Sequence, residues 1–212
     1  MSESRYPIPA EECRTEEVIK QSRFVTTVTH AGTEEDAKGF VRRIREEFPD
    51  AGHTCWAYVV GPPGSTMAVG MSDDGEPRGT AGKPMLSVLT NCGVGDIAAT
   101  VTRYWGGVKL GKGGLVRAYS GGVQQALREV PLAEFVRRVT LRVVIDYGAV
   151  TPFQRMLLEH EVDVVSEAFG EKAVYELALP DTYEDRFRTS VVDLTNGQAV
   201  ICRTGCPSAE DT

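Results

Sequence analysis

With 212 residues, 42% hydrophobic and 25% charged, the chain has the make-up of a folded protein long enough for one large core or two modest ones, which excludes a fibrous or disordered class. No apolar run approaches the roughly 20 residues of a spanning helix, and Met1-Ser2-Glu3-Ser4-Arg5 lacks a basic stretch followed by an apolar one, so a cytoplasmic location and no membrane partner are expected. A net charge of -7 opposes attraction to polyanions over the whole surface, and five scattered cysteines with no C-x-x-C pair fit reduced thiols.

Past an extended lead with Pro7 and Pro9, Glu17 to Thr29 reads as two short strands. Thr33 is placed as a helix N-cap, with Glu34, Glu35 and Asp36 in the first turn, Arg42, Arg43 and Arg45 late, and Ala37, Phe40, Val41, Ile44 and Phe48 as the buried stripe. Thr54 to Val60 and Thr66 to Met71, joined by Gly61-Pro62-Pro63-Gly64, form a predicted hairpin. A polar run from Ser72 to Pro84 leads to a short helix over Met85 to Thr90, an apolar strand over Ile97 to Trp105, a glycine-rich loop, and a long helix from Leu115 to Val130.

Pro131 is taken to open a second domain, giving domains 1–130 and 131–212. Leu141, Val143, Ile145 and Tyr147 alternate as a strand; Val150, Phe153 and Leu157 mark a helix; Val162 to Phe169 and Val174 to Leu179 are strands. Tyr183, Phe187, Val191 and Leu194 then mark a helix that Asn196-Gly197 ends, before a strand over Gln198 to Arg203 and a frayed tail from Gly205. The order βαββαβ predicts a ferredoxin-like sandwich. From residue 131 onward 14 acidic residues face 8 basic ones, a balance of -6 that leaves -1 for the first 130. The second domain is therefore the poorer partner for a polyanion.

Three segments carry candidate chemistry. Ser72-Asp73-Asp74-Gly75-Glu76-Pro77-Arg78-Gly79-Thr80-Ala81-Gly82-Lys83-Pro84 gathers carboxylates that shape turns and cap the next helix, meet a polar ligand, or hold a hard cation; no metal or cofactor is assigned. Arg103 to Tyr119, RYWGGVKLGKGGLVRAY, sits in an interval free of acidic residues between Asp96 and Glu129. Its bare amides at a helix start suit an oxyanion. Gly106 to Lys112 fits G-x-x-x-x-G-K, but Gly113 stands where a triphosphate loop needs a hydroxyl for magnesium. The same glycines serve equally as a tight strand-to-helix crossover. Tyr104 and Trp105 beside Arg103, Lys109, Lys112 and Arg117 make the aromatic and cationic mixture that single-stranded nucleic acid uses. The phosphate-binding set is thus Arg103, Tyr104, Gly106, Gly107, Lys109, Gly111, Lys112, Gly113, Gly114 and Arg117, with Asp73, Asp74, Glu76 and Lys83 as a polar face. The third segment, His53-Thr54-Cys55, offers either a thiol and imidazole pair or a small buried residue at a strand edge.

His53-x-Cys55, the run from Ser72 to Pro84 and the run from Arg103 to Tyr119, with Ser22-Arg23-Phe24 near the start, together resemble the signatures of the IMPACT / YigZ family across nearly the whole chain. Lys112 is not fixed by that pattern, and Trp105 stands where it has tyrosine. The resemblance implies an α+β protein: an N-terminal α/β sandwich of the type found in the second domain of a small-subunit ribosomal protein and in domain four of elongation factor G, then the ferredoxin-like domain. It implies a role in translation, with RNA, a ribosome-associated particle or a protein as partner. A small phosphorylated substrate is the enzymatic alternative. The sequence leaves catalytic residues and oligomeric state open.

Overall fold

The computed structural model describes residues 4–204, so the tail expected to fray from Gly205 lies outside the described residues. Two compact units divide between Phe135 and Val136, rather than at Pro131. The strand after that proline, β7 (Leu132–Val136), pairs with β1 (Arg5–Pro9), and Tyr6 packs on Phe135 with ring centroids 4.7 Å apart.

The first unit is built on a five-stranded antiparallel sheet in the order β2-β3-β6-β4-β5, with β2 Cys13–Ile19, β3 Ser22–His30, β4 His53–Val60, β5 Ala68–Ser72 and β6 Ile97–Tyr104. β2 and β3 reach further than predicted because Arg14 and Glu16, on the mostly exposed β2, and Arg23, on the mostly buried β3, stand at exposed positions and mask the alternation. Lys20 and Gln21 turn between them, both at positive φ, the primed turn that matches strand twist.

Helix α1 (Glu34–Glu47) begins as predicted, with Thr33 Oγ1 accepting from Asp36 N at 3.1 Å. It buries Ala37, Phe40, Val41 and Ile44 against Tyr58 and Ala98 on one face of the sheet. On the opposite face, α2 (Gly82–Asn91) and α3 (Lys112–Glu129) cover Phe24, Cys55, Ala57, Val59, Ile97, Ala99 and Val101. Strand residues one apart point to opposite faces, which is why β4 and β6 serve both cores and read as continuous apolar runs.

The second unit contains β8 (Arg138–Ile145), α4 (Val150–Leu158), β9 (Asp163–Phe169), β10 (Ala173–Pro180), α5 (Glu184–Leu194) and β11 (Val200–Arg203). Its antiparallel sheet runs β11-β8-β10-β9, the order of a ferredoxin-like sandwich. Leu141, Val143, Ile145, Phe153, Tyr175, Leu177, Phe187 and Val191 are its core. Tyr147 departs from its expected strand: it lies in a short turn and is exposed, its hydroxyl donating to the Gly170 carbonyl at 2.7 Å. No helix among the described residues is long and apolar enough to cross a membrane.

Candidate functional site

The two long motif runs meet. Arg103, near the end of β6, sits on the strand face that also carries Val101 and Ala99 and is only 6% exposed. Its Nη1 donates to Glu76 Oε1 at 2.7 Å, and Tyr119 on α3 donates its hydroxyl to the same oxygen at 2.8 Å. Nη2 donates to Ser22 Oγ at 3.3 Å, and the guanidinium lies over the Phe24 ring, 5.4 Å from its centroid. Arg103 is therefore removed from the set of exposed phosphate contacts: its charge is already balanced by a buried carboxylate. Its Nε is buried and has no acceptor, an arrangement that costs about 1–3 kcal/mol or more for a charged donor.

The carboxylates of the polar run are likewise engaged. Asp73 accepts from Gly79 N with Oδ2 (2.7 Å) and from Ala81 N and Gly82 N with Oδ1 (3.0 and 2.9 Å), holding the start of α2. Asp74 accepts from Thr54 N at 2.8 Å and pairs with Arg45. The turn-and-cap role weighed for this segment accounts for Asp73, Asp74 instead ties the run to β4 and α1, and Lys83 is exposed in the first turn of α2. Among the described residues no group of three or more His, Cys, Asp or Glu is placed to hold a metal ion.

Burial raises the Asp73 carboxyl, but the three backbone donors and nearby Arg78 outweigh it and leave it below the usual carboxylate range. A carboxyl depressed in the folded state stabilises fully above its unfolded value near about 4 and loses that contribution as pH falls through the lowered one. Asp73→Asn, which keeps one acceptor oxygen of two, should cost about 1–2 kcal/mol at neutral pH. It should also flatten the acid limb of a urea midpoint measured against pH.

His53 and Cys55 do share a strand face, yet they do not cooperate. His53 Nδ1 donates to the Asp74 carbonyl at 2.7 Å, and the Cys55 thiol donates to the Asp73 carbonyl at 2.9 Å. Burial, partly offset by the nearby Tyr119 hydroxyl and reinforced by Glu76, Asp74 and Asp73, pushes the Cys55 thiol up to about 12. Burial likewise raises the Tyr119 hydroxyl. At pH 8 the thiolate fraction is then about one in ten thousand. A thiol reagent on the native protein should label exposed Cys202 and spare Cys55, as peptide mass mapping will read.

What stays open to solvent is cationic. Lys109, Lys112 and Arg117 are exposed and form no ion pair among the described residues. Lys112, Gly113 and Gly114, expected in the loop, form the first turn of α3. Gly111 at the N-cap, at φ 75°, offers no side chain, and the turn holds no acidic residue. The first amides of α3 are thus uncapped at the positive end of an 18-residue helix. Gly107 is exposed, whereas Gly106 is wedged against the Gln21 carbonyl and donates its N–H to Ser22 Oγ at 3.2 Å. Ser22 is the contributor that sequence reasoning passed over, although Ser22-Arg23-Phe24 was part of the family signature. Arg23 covers the Tyr104 ring at 5.3 Å, so the free aromatic is Trp105, 65% exposed.

A cleft of about 350 Å³ is lined by Glu76, Arg103, Trp105, Lys109, Lys112 and Leu115 among others. Asp74 of the polar face does not line it: its carboxylate accepts from Thr54 N and pairs with Arg45. Leu110 lines both this cleft and a second groove of about 440 Å³ between β2 and α3, where Lys20, Arg117 and Arg128 outnumber Glu17. A basic strip thus continues from one depression into the next.

Residues 20–127 match the family described as the Impact N-terminal domain, and residues 143–198 match a domain of unknown function, DUF1949. An IMPACT family member from Haemophilus influenzae is 40% identical over 198 residues, covering 93% of this chain and 96% of that protein. The IMPACT family member YigZ of Escherichia coli (strain K12) is 40% identical over 190 residues, covering 90% and 93%. YvyE of Bacillus subtilis is 34% identical over 184 residues, covering 87% and 84%. A crystal structure described as that of a hypothetical protein is 39% identical and superposes with a TM-score of 0.70, covering 93% of this chain and 96% of that one.

Proposed function

Because the chain belongs to the IMPACT family, we propose that it is a non-catalytic binding protein associated with translation, contacting RNA or a ribonucleoprotein through the basic, glycine-rich face of its first unit. The observation that carries the reading is a division of labour. Asp73, Asp74 and Glu76 are each engaged by groups of the fold, while Lys109, Lys112 and Arg117 stand exposed around the uncapped start of α3. A local excess of positive charge in an acidic protein attracts phosphates to one face only.

Trp105 offers a stacking surface beside that charge, the combination by which single strands are held without sequence preference. The enzymatic alternative, a small phosphorylated substrate, finds less support, since Asp73, Asp74 and Glu76 already hold the α2 start, the β4 amide and the Arg103 guanidinium.

The test is a filter-binding or gel-shift titration with single-stranded RNA at several salt concentrations. Affinity should fall with salt, with a log–log slope of about -0.7 for each phosphate neutralised. Lys109→Glu combined with Lys112→Glu and Arg117→Glu should weaken binding at least about tenfold and flatten that slope. Arg103 is left intact, because reversing a buried charge would unfold the unit. Equal binding by the triple variant overturns the reading, and co-purification that survives ribonuclease moves it to a protein partner.

A further inference from the structure

Within that basic face the cleft behind Trp105 has features that a mere electrostatic strip does not need. Three groups with spare hydrogen-bonding capacity belong to residues around it. The first-turn amides of α3 lack a cap. Arg103, 94% buried by its 6% exposure, stands in the cleft wall and keeps a buried Nε–H behind it without an acceptor. Glu76 receives both of its hydrogen bonds on Oε1, leaving Oε2 with none from the described residues.

Charge counting narrows the ligand. Glu76 balances Arg103, so the net positive charge facing the cleft comes from Lys109 and Lys112, neither of which has an ion pair among the described residues. Two uncompensated cations match a phosphate monoester, which carries close to two negative charges near neutral pH, better than a diester with one. The volume, about 350 Å³, falls inside the about 300–1,000 Å³ range of small-ligand sites. Trp105, exposed at the rim, gives a planar base a surface to stack on.

Resting on the phosphate-binding reading above, we propose that this cleft is a pocket for one ribonucleotide unit bearing a phosphate monoester. The phosphate sits on the α3 amides between Lys109 and Lys112, a ribose hydroxyl donates to Glu76 Oε2, and the base stacks on Trp105. Free nucleoside monophosphate and the 5′-phosphorylated end of an RNA present the same chemistry.

Of the chain's 2 tryptophans, Trp56 is replaced by phenylalanine so that fluorescence reports Trp105 alone. Adenosine 5′-monophosphate should quench it saturably, while adenosine and the 2′-deoxy monophosphate should each bind at least about tenfold more weakly, having lost a charge-assisted contact or a paired hydroxyl. Lys109→Gln with Lys112→Gln should abolish the preference for the monophosphate over adenosine without changing the melting curve. A short RNA with a 5′-phosphate that outcompetes the mononucleotide assigns the pocket to chain ends; equal competition assigns it to the free nucleotide. Equal affinity for monophosphate and adenosine, equal affinity for the deoxy compound, or no quenching by the monophosphate or by either RNA end overturns the pocket. If salt-dependent RNA binding persists in that case, the basic face stands and only the pocket falls; loss of both removes the reading beneath it.

Discussion

Arg103→Met should destabilise the first unit by about 3–5 kcal/mol, the penalty expected when one partner of a buried ion pair is deleted and the other is left charged in the interior. The side chain fills similar space, so the loss is electrostatic rather than a cavity. Glu76 would keep Tyr119 as a donor at 2.8 Å but no cation. Adding Glu76→Gln should recover most of the loss, because a pair replaced by neutral groups of similar volume costs far less than a pair broken in half. Both tryptophans, Trp56 and Trp105, belong to the first unit, so urea unfolding followed by tryptophan fluorescence isolates the right transition. A single variant that loses less than about 1 kcal/mol would mean that the pair behaves like a surface salt bridge.

Gly106→Ala should cost about 3 kcal/mol, the upper end for overpacking. An added Cβ would fall well under 3.0 Å from the carbonyl carbon and oxygen of Gln21 and the nitrogen of Ser22. All three are backbone atoms, so none can swing aside as a side chain would. The β2–β3 turn or the loop must move, and the hydrogen bond from Gly106 N to Ser22 Oγ moves with it. Gly113→Ala is the internal comparison. It lies in α3 with nothing within 4 Å of an added Cβ, and should be neutral or stabilising by up to about 1 kcal/mol. Equal melting of the two variants would show that glycine content, not the contact with Gln21, sets the effect.

The helices and the second unit were legible because their signals are local: Thr33 before a 3.6-residue stripe, Asn196-Gly197 after one, alternation through Leu141, Val143 and Ile145. The meeting of the two motif runs was legible from both preceding helices in the same domain; that α2 and α3 cover one sheet face was not. What could not be read was the fate of Arg103. In sequence it belongs to a basic island beside two aromatics; in space the period of β6 sends it to the same side as Val101 and Ala99, where Glu76 waits from a loop 27 positions away in the chain. Composition cannot distinguish a cation aimed at solvent from one with a distant internal partner. Tyr104 failed similarly, since Arg23, its cover, comes from another strand. The start of α3 was misplaced by two glycines whose low propensity is overridden by the packing of Leu115, Ala118 and Tyr119 behind them.

Every wall of the cleft, from Glu76 to Leu115, is contributed ahead of Phe135, within a unit that has its own interior. The cleft is consequently portable. Excising the last third of the chain would take no atom from it, and a lineage could graft a different appendage after β7 without having to rebuild those walls.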